Sequence, residues 1–210
     1  MSALPVGATI GILGGGQLGR MLSVAASRLG LKTHIFEPGA NAPAGDVAHQ
    51  VTTADYTDKA ALEAFAATVD VITYEFENIP TSALDILEAL KPIHPNRGTL
   101  ATSQDRLVEK TFLQGLGLQT APFADVPDQA ALTAALATIG APAILKTRTM
   151  GYDGKGQRKL NGGEDPAEVW TAFEGGRAVL EAFIPFEREL SVMVARDASG
   201  KTATYDPAEN

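Results

Sequence analysis

The first hundred residues alternate short apolar runs with amphipathic segments, and this alternation constrains the fold more than any other feature. It predicts strands over residues 9–13, 33–37, 50–53 and 69–74. Helices are predicted between them, starting with residues 17–29. Strands alternating with helices indicate a parallel sheet whose ligand site lies at the carboxyl ends of the strands.

The pattern changes after Pro95, where hairpins replace the crossovers and the class becomes α+β. Ser103 is expected to cap a helix through residue 116, and two further helices cover 128–139 and 165–173. The remaining strands are predicted over 119–126, 143–148, 158–160, 177–183, 187–196 and 202–205. We therefore expect domains over residues 1–95, 96–185 and 186–210.

The charge balance excludes several classes of protein. Lys and Arg number 17 against 25 Asp and Glu, so the net charge is −8, the wrong sign for a protein that coats nucleic-acid phosphates. The chain has no cysteine, no apolar run long enough to span a bilayer, and three histidines without metal-ligand spacing (His34, His49, His94). A cytoplasmic protein is expected, with the histidines solvated or packed.

A glycine-rich turn over residues 14–19 follows the first strand and opens the first helix. It fits G-x-G-x-x-G, and Glu37 ends the next strand where a ribose-binding carboxylate of an NAD(P) site would stand. The same amides could hold a mononucleotide or a sugar phosphate. Tight packing of a strand on a helix, without any ligand, also explains the glycines.

A second glycine-rich segment, residues 151–157, follows a buried strand that carries Lys146. Because a lysine on an apolar strand is costly without an anion, and Arg148 and Lys155 lie close by in an acidic chain, we expect a lid that covers phosphates. An ordinary hairpin with a solvated lysine is the alternative.

Further along the chain, residues 181–184 could present backbone groups to an adenine edge. Glu189 could bind ribose hydroxyls or belong to a surface salt-bridge ladder.

Four motifs in one order carry a resemblance to a known family: GQLGRM at 16–21, YEFENIP at 74–80, GYDGKGQ at 151–157 and FERELSV at 186–192. Together they resemble the 5-(carboxyamino)imidazole ribonucleotide synthases, ATP-grasp ligases of purine biosynthesis, over residues 9–210. The resemblance implies a Rossmann-like pre-ATP-grasp domain, an α+β ATP-grasp lid domain and the first strands of an incomplete C-terminal ATP-grasp domain.

The resemblance also implies a reaction. ATP, with Mg²⁺, phosphorylates bicarbonate to carboxyphosphate, which supplies CO2 to the amine of 5-aminoimidazole ribonucleotide. The product passes to a mutase partner, and a homodimer is one expectation. Carboxyphosphate hydrolyses readily, so a closing lid has a purpose.

Residue roles follow from the resemblance at matching positions. Lys146, Tyr152 and Lys155 are the catalytic candidates, with Tyr152 near bicarbonate, and Gln17, Leu18 and Glu75 bind the ribonucleotide. The first glycine turn then becomes a sugar-phosphate cradle, and Glu75 could instead cap the helix entry at Pro80. The implied ATP contacts are Arg106, Lys146, Gly151, Tyr152, Asp153, Gly154, Lys155, Gly156, Gln157, Glu181, Ala182, Phe183, Ile184 and Glu189.

Members of the family run further, and their Mg²⁺ carboxylates are expected beyond the equivalent of Asn210. We therefore expect a truncated chain that is inactive alone. Formate-using glycinamide ribonucleotide transformylase and biotin carboxylase are rivals within the superfamily. An NAD(P)-dependent oxidoreductase and a nucleotide-binding fragment without catalysis are rivals outside it.

Overall fold

The computed structural model describes residues 3–151, 154–174 and 176–210. None of the helices in this described part of the chain is long and apolar enough to cross a membrane. The first half contains β1 (Thr9–Leu13), α1 (Gln17–Arg28), β2 (Lys32–Phe36), a 3₁₀ helix (Pro43–Asp46), β3 (Gln50–Thr52), α2 (Lys59–Ala67), β4 (Val71–Tyr74), α3 (Thr81–Glu88) and α4 (Arg97–Ser103).

The first sheet is parallel with the strand order β3-β2-β1-β4, as the alternation predicts. Its main core lies under α2, α3 and α4 and includes Leu13, Phe36, Phe65 and Leu84, all at most 1% exposed. On the other side, α1 buries only the small residues Gly19, Ser23 and Ala26. All four predicted strands of this half are confirmed within two residues.

The second half contains α5 (Arg106–Gly115), β5 (Phe123–Val126), α6 (Gln129–Ile139), β6 (Ala143–Thr147), β7 (Gln157–Leu160), α7 (Pro166–Phe173), β8 (Ala178–Ala182), β9 (Leu190–Ser191), β10 (Val194–Arg196), β11 (Thr202–Thr204) and β12 (Ala208–Glu209). The sheet β5-β8-β6-β7, which we call the lid sheet, is antiparallel throughout. The α/β class followed by an α+β part is therefore confirmed.

The two faces of the lid sheet differ in chemistry because opposite neighbours in an antiparallel pair share a face. Leu145 and Leu180 are paired and pack with Leu132 and Val169 of the two covering helices. The other face, which we call the polar face, carries Phe123, Ile144, Lys146, Lys159 and Glu181 in register. A site for a charged ligand can form only on the polar face.

Three predicted boundaries in this half are wrong. The strand expected from residue 119 begins only at Phe123. Ser103 ends α4 rather than capping a helix, and Asp105 caps α5 because its carboxylate accepts from the Leu107 and Val108 amides. The strand expected over residues 187–196 is divided into β9 and β10. Every residue from 184 to 210 is exposed, including those of the two-stranded sheets β10-β11 and β12-β9.

His34 is buried in the parallel sheet as a neutral side chain. Its Nδ1 lies 2.7 Å from Thr68 Oγ1 and its Nε2 lies 2.8 Å from Thr52 Oγ1. The Thr68 hydroxyl donates its proton to the Phe65 carbonyl, so it accepts from His34 Nδ1–H. Burial, with a smaller effect of His49, lowers the pKa of His34 to about 4.

This lowered pKa predicts a loss of stability in mild acid. Below pH 6.5 the unfolded chain binds a proton at His34 that the folded chain refuses until about pH 4. The free energy of unfolding should therefore fall by up to about 3 kcal/mol across this window, through His34 alone. Thermal melting of His34→Gln between pH 7 and 4.5 should show a flatter dependence than the unsubstituted protein. Equal slopes for the two proteins would contradict the assignment.

Candidate active site

Two carboxylates close the glycine turn at the carboxyl edge of the parallel sheet. Glu37 follows β2 and accepts from the Gly15 amide at 2.8 Å and from the Gly39 amide at 2.9 Å. Glu75 follows β4 and accepts from the Gly16 amide at 2.9 Å. Both side chains line a cavity of about 470 Å³ together with Asn41, Tyr56 and Phe76. The cavity lies where a parallel sheet is expected to hold its ligand.

The turn needs glycine where Glu75 approaches it. Gly14 has φ +103°, and a Cβ there would lie 2.7 Å from Glu75 Oε1. A Cβ at Gly19 would lie 2.8 Å from the Gly14 carbonyl. Glycines therefore allow the carboxylate to reach the backbone and the helix to pack on the turn.

This arrangement corrects the expectation of a phosphate cradle. The amides of Gly15 and Gly16 already donate to carboxylates, so a phosphate placed there would find its donors occupied and two like charges beside it. Gln17 and Leu18 stand exposed at the first turn of α1, next to the cavity wall. The electrostatics of the cavity favour a ligand group that donates hydrogen bonds, such as an amine or a hydroxyl.

Tyr56 supports the same conclusion about charge. Its hydroxyl faces the Phe36 carbonyl at 3.4 Å. Burial, followed by the negative charges of Glu37 and Glu75, raises the pKa of Tyr56 above its usual value. The tyrosine therefore stays a neutral hydrogen-bonding group.

A second cluster lies on the polar face of the lid sheet. Glu181 is 6% exposed, and its Oε2 lies 3.0 Å from Lys146 Nζ and 3.2 Å from Lys110 Nζ. Its other oxygen, Oε1, is buried and has no hydrogen-bond partner within the described part of the chain. The cluster carries one net positive charge and one unused buried acceptor, which suits a ligand with both an anionic part and a donor group.

Helix α5 covers this cluster with residues one turn apart. Arg106 donates from Nε to the Thr147 carbonyl at 3.1 Å and from Nη2 to the Gly151 carbonyl at 2.8 Å. Lys110 lies four residues on, at the same helix face, with its ammonium 5.7 Å from the Phe123 ring centroid. In this structure Arg106 thus holds the start of the glycine-rich loop.

The glycine-rich loop packs closely against Thr147. The Thr147 amide donates to the Gly156 carbonyl at 2.8 Å, and a Cβ at Gly156 would lie 2.6 Å from Thr147 Oγ1. Gly154 and Gly156 have φ of +79° and +68°, and Gln157 begins β7 opposite Lys146, while the Lys155 side chain is exposed. The predicted site residues Tyr152 and Asp153 lie outside the described residues.

Arg148 does not join the phosphate-facing cations, which corrects another expectation. Its guanidinium binds Asp105 at 2.6 Å and Asp125 at 3.4 Å. Burial disfavours the charge on Asp105, but hydrogen bonds from Arg148 and from the Val108 and Leu107 amides outweigh it and lower the pKa of Asp105. Arg148 therefore ties the start of α5 to the end of β6.

The predicted adenine-binding segment is partly occupied by internal hydrogen bonds. The amides of Ala182 and Phe183 donate to the Pro122 and Pro142 carbonyls at 2.9 and 3.0 Å. Ile184 is exposed just beyond them, and its carbonyl accepts from the Phe186 amide. Glu189 lies in the exposed segment before β9, and its carbonyl accepts from the Asn210 amide at 3.0 Å.

The described residues contain no preformed cluster of metal ligands. Within ranges 3–151, 154–174 and 176–210 no group of three or more His, Asp or Glu side chains could hold a metal ion. Mg²⁺ prefers several oxygen ligands in octahedral geometry, and Glu181 is already shared between two ammonium groups. These residues therefore do not fit a magnesium site.

Comparison with family models agrees with this arrangement. Residues 7–104 match the ribonucleotide synthetase pre-ATP-grasp domain, and residues 111–210 match the ATP-grasp domain. The parallel sheet with its carboxylate cavity and the antiparallel lid sheet with its lysine cluster are thus the two parts of an ATP-grasp protein.

Comparison with known proteins places the chain in one family of ATP-grasp proteins. An N5-carboxyaminoimidazole ribonucleotide synthase of Brucella melitensis is 49% identical over all of this chain, which covers 58% of that protein. The Staphylococcus aureus synthetase complexed with ADP aligns with a TM-score of 0.94 at 38% identity, over 99% of this chain and 56% of that one. The Aspergillus clavatus synthase in complex with ADP and 5-aminoimidazole ribonucleotide aligns at 0.87 and 27%, over 97% and 54%. The chain belongs to the N5-carboxyaminoimidazole ribonucleotide synthase family and spans a little over half the length of these relatives.

Sequence reasoning missed two charged residues, one in the Glu181 cluster and one that pairs with Arg148. Lys110 contacts Glu181, and Asp105 holds Arg148. Lys110 was detectable, because it stands four residues after Arg106 on a predicted helix and so shares its face. Asp105 gave no such signal, since the helix start was assigned to Ser103.

The double role of Asp105 predicts a large effect on stability. Asp105→Ala removes both a helix cap and a partly buried ion pair, and should lower the free energy of unfolding by about 2–4 kcal/mol. Asp128 is the matched control, since it caps α6 by accepting from the Ala131 amide at 2.8 Å and forms no ion pair with another described residue. Asp128→Ala should cost about 1 kcal/mol in urea unfolding. Equal losses in the two variants would show that the Arg148 contact adds nothing.

Proposed function

We propose that this chain contributes the ribonucleotide site and the nucleotide lid of an N5-carboxyaminoimidazole ribonucleotide synthase. In the proposed reaction an oxygen of bicarbonate attacks the γ-phosphorus of ATP, and ADP leaves. The resulting carboxyphosphate breaks into CO2 and phosphate. The amine of 5-aminoimidazole ribonucleotide then attacks CO2, loses a proton and becomes the carboxyamino group of the product.

The observation that carries the proposal is the Lys110–Glu181–Lys146 cluster on the lid sheet, where Lys146 pairs with Gln157 at the end of the glycine-rich loop. Phosphoryl transfer needs positioning and charge neutralisation more than a protein nucleophile. Lys146 lies next to the loop in the register of the sheet and supplies the charge. The unused Glu181 Oε1 can accept from a donor such as the exocyclic amine of adenine.

The cavity lined by Glu37 and Glu75 supports the assignment of aminoimidazole ribonucleotide as the second substrate. Aminoimidazole ribonucleotide has an amine and two ribose hydroxyls, and these groups can donate hydrogen bonds to the carboxylates of Glu37 and Glu75. The relative from Aspergillus clavatus was solved with that ribonucleotide and ADP. In our proposal Glu75 orients the amine, and Gln17 and Leu18 flank it at the start of α1. The same two carboxylates disfavour an NAD(P) pyrophosphate at this turn.

The remaining assignments are proposals of the same kind. Arg106, Gly151, Gly154, Lys155, Gly156, Gln157, Glu181, Ala182, Phe183, Ile184 and Glu189 contact ATP, and Tyr152 and Asp153 complete the loop. Mg²⁺, when bound, neutralises the phosphates through ligands that the described residues do not provide. The division at 1–95, 96–185 and 186–210, the mutase partner, a homodimer and a cytoplasmic location remain predictions.

The test is an ATPase assay on the protein expressed from its complete reading frame. Phosphate release with Mg-ATP and bicarbonate should rise when aminoimidazole ribonucleotide is added, and the carboxyamino product should appear. NAD(P)H should not bind, which a fluorescence titration checks. Phosphate release that depends on neither bicarbonate nor the ribonucleotide would overturn the proposal.

Lys146 is expected to dominate nucleotide binding. Lys146→Ala should weaken apparent ATP binding or phosphoryl transfer by about 2–4 kcal/mol, because a charge-assisted contact in a site closed to water is lost. Steady-state kinetics against ATP measure the change. Lys59→Ala, at an exposed lysine paired with Glu63, is the control that should leave the ATP dependence unchanged.

Glu75 should act on the other substrate. Glu75→Gln keeps an acceptor for the Gly16 amide and removes the charge near the amine, so KM for aminoimidazole ribonucleotide should rise about tenfold. Basal bicarbonate-dependent ATP cleavage should be spared. Glu77→Gln, two residues on and exposed, serves as the control. Equal loss of both activities in Glu75→Gln would place Glu75 elsewhere in the mechanism.

A further inference from the structure

Glu181 is a buried carboxylate that would lose a cation if Lys146 bound the nucleotide phosphates. The carboxylate is 6% exposed, and Lys146, 3.0 Å away, is one of the cations on it. If Lys146 turns toward nucleotide phosphates, the contact with Glu181 is weakened. A buried carboxylate left without a cation is strongly unfavourable. Nucleotide binding would then have to break a buried ion pair.

Lys110 offers the solution, because it contacts the same oxygen. Its ammonium lies 3.2 Å from Glu181 Oε2, and its side chain is 17% exposed. Two ammonium groups on one carboxylate leave a surplus positive charge, so one lysine can depart while Glu181 stays paired. Only Lys146 stands on the strand opposite Gln157, where the glycine-rich loop ends, whereas Lys110 is held on α5 beside the Phe123 ring.

We propose that Lys110 is a positioning residue that keeps Glu181 paired and thereby releases Lys146 to the nucleotide phosphates. This inference rests on the proposed function, since it presumes that the lid sheet binds ATP. Lys110 acts through Glu181 and touches no reacting atom. Its loss should therefore weaken nucleotide binding without slowing turnover at saturation.

The test is a double-mutant cycle in the protein expressed from its complete reading frame. Lys110→Met keeps most of the length of the side chain and removes the charge. KM for ATP and the Kd of ADP, measured by calorimetry, should each rise about tenfold, while kcat changes less than about threefold. Lys110→Arg should retain most of the affinity because the charge remains. Lys59→Met is the control and should have no effect.

The Glu181→Gln background separates this role from simple packing. Without the carboxylate charge there is nothing for Lys110 to compensate, so Lys110→Met should change the Kd of ADP by less than about twofold there. A packing role would give the same loss in both backgrounds, and that result would overturn the inference. An unchanged Kd in Lys110→Met alone would also overturn it. If Lys110→Met fails to fold, which circular dichroism shows, Lys110→Gln carries the same cycle.

The outcomes distinguish this inference from the proposed function. If Lys146→Ala loses ATP binding while Lys110→Met keeps it, the ATP site stands and the role of Lys110 is wrong. If the unsubstituted protein binds no ADP and makes no carboxyamino product, the proposed function itself fails and this inference falls with it.

Discussion

A carboxylate buried on the polar face of the lid sheet is the interaction on which the candidate nucleotide site depends. Glu181 can occupy that position because two lysines from different elements reach its Oε2, one from β6 and one from α5. These ion pairs join α5 to the lid sheet. Arg106 and Arg148 add hydrogen bonds and an ion pair between the start of α5 and the end of β6. The two ends of the glycine-rich loop lie beside these residues, since Arg106 donates to the Gly151 carbonyl and Gln157 pairs with Lys146.

In the parallel sheet the charged groups are carboxylates that accept from the backbone, and no lysine pairs with them among the contacts described above. There the backbone amides of a glycine turn need acceptors, and Glu37 and Glu75 supply them from the ends of neighbouring strands. The result is a cavity with an acidic wall in one half of the chain and a surplus of positive charge in the other. The first site favours ligand groups that donate hydrogen bonds, and the second favours anionic groups.

Much of this was predictable from local pattern. The alternation of apolar runs gave the parallel sheet, and the glycines at 14–19 and 151–157 marked both candidate sites, because few residue types allow such close backbone approaches. Lys146 stood out as a cation on an apolar strand. Two of the failures share one cause: Arg148 was misassigned and Lys110 was overlooked because their partners, Asp105 and Glu181, lie tens of residues away.

The amino-acid sequence by itself determined the order of the elements, the two glycine turns and the family to which the chain belongs, since each depends on short-range spacing of residue types. Only the tertiary structure decided which charged groups meet. It turned the first glycine turn from an expected phosphate cradle into a support for two carboxylates, and it gave Glu181 a second lysine. Ion pairing depends on distances between side chains on separate elements, and packing sets those distances.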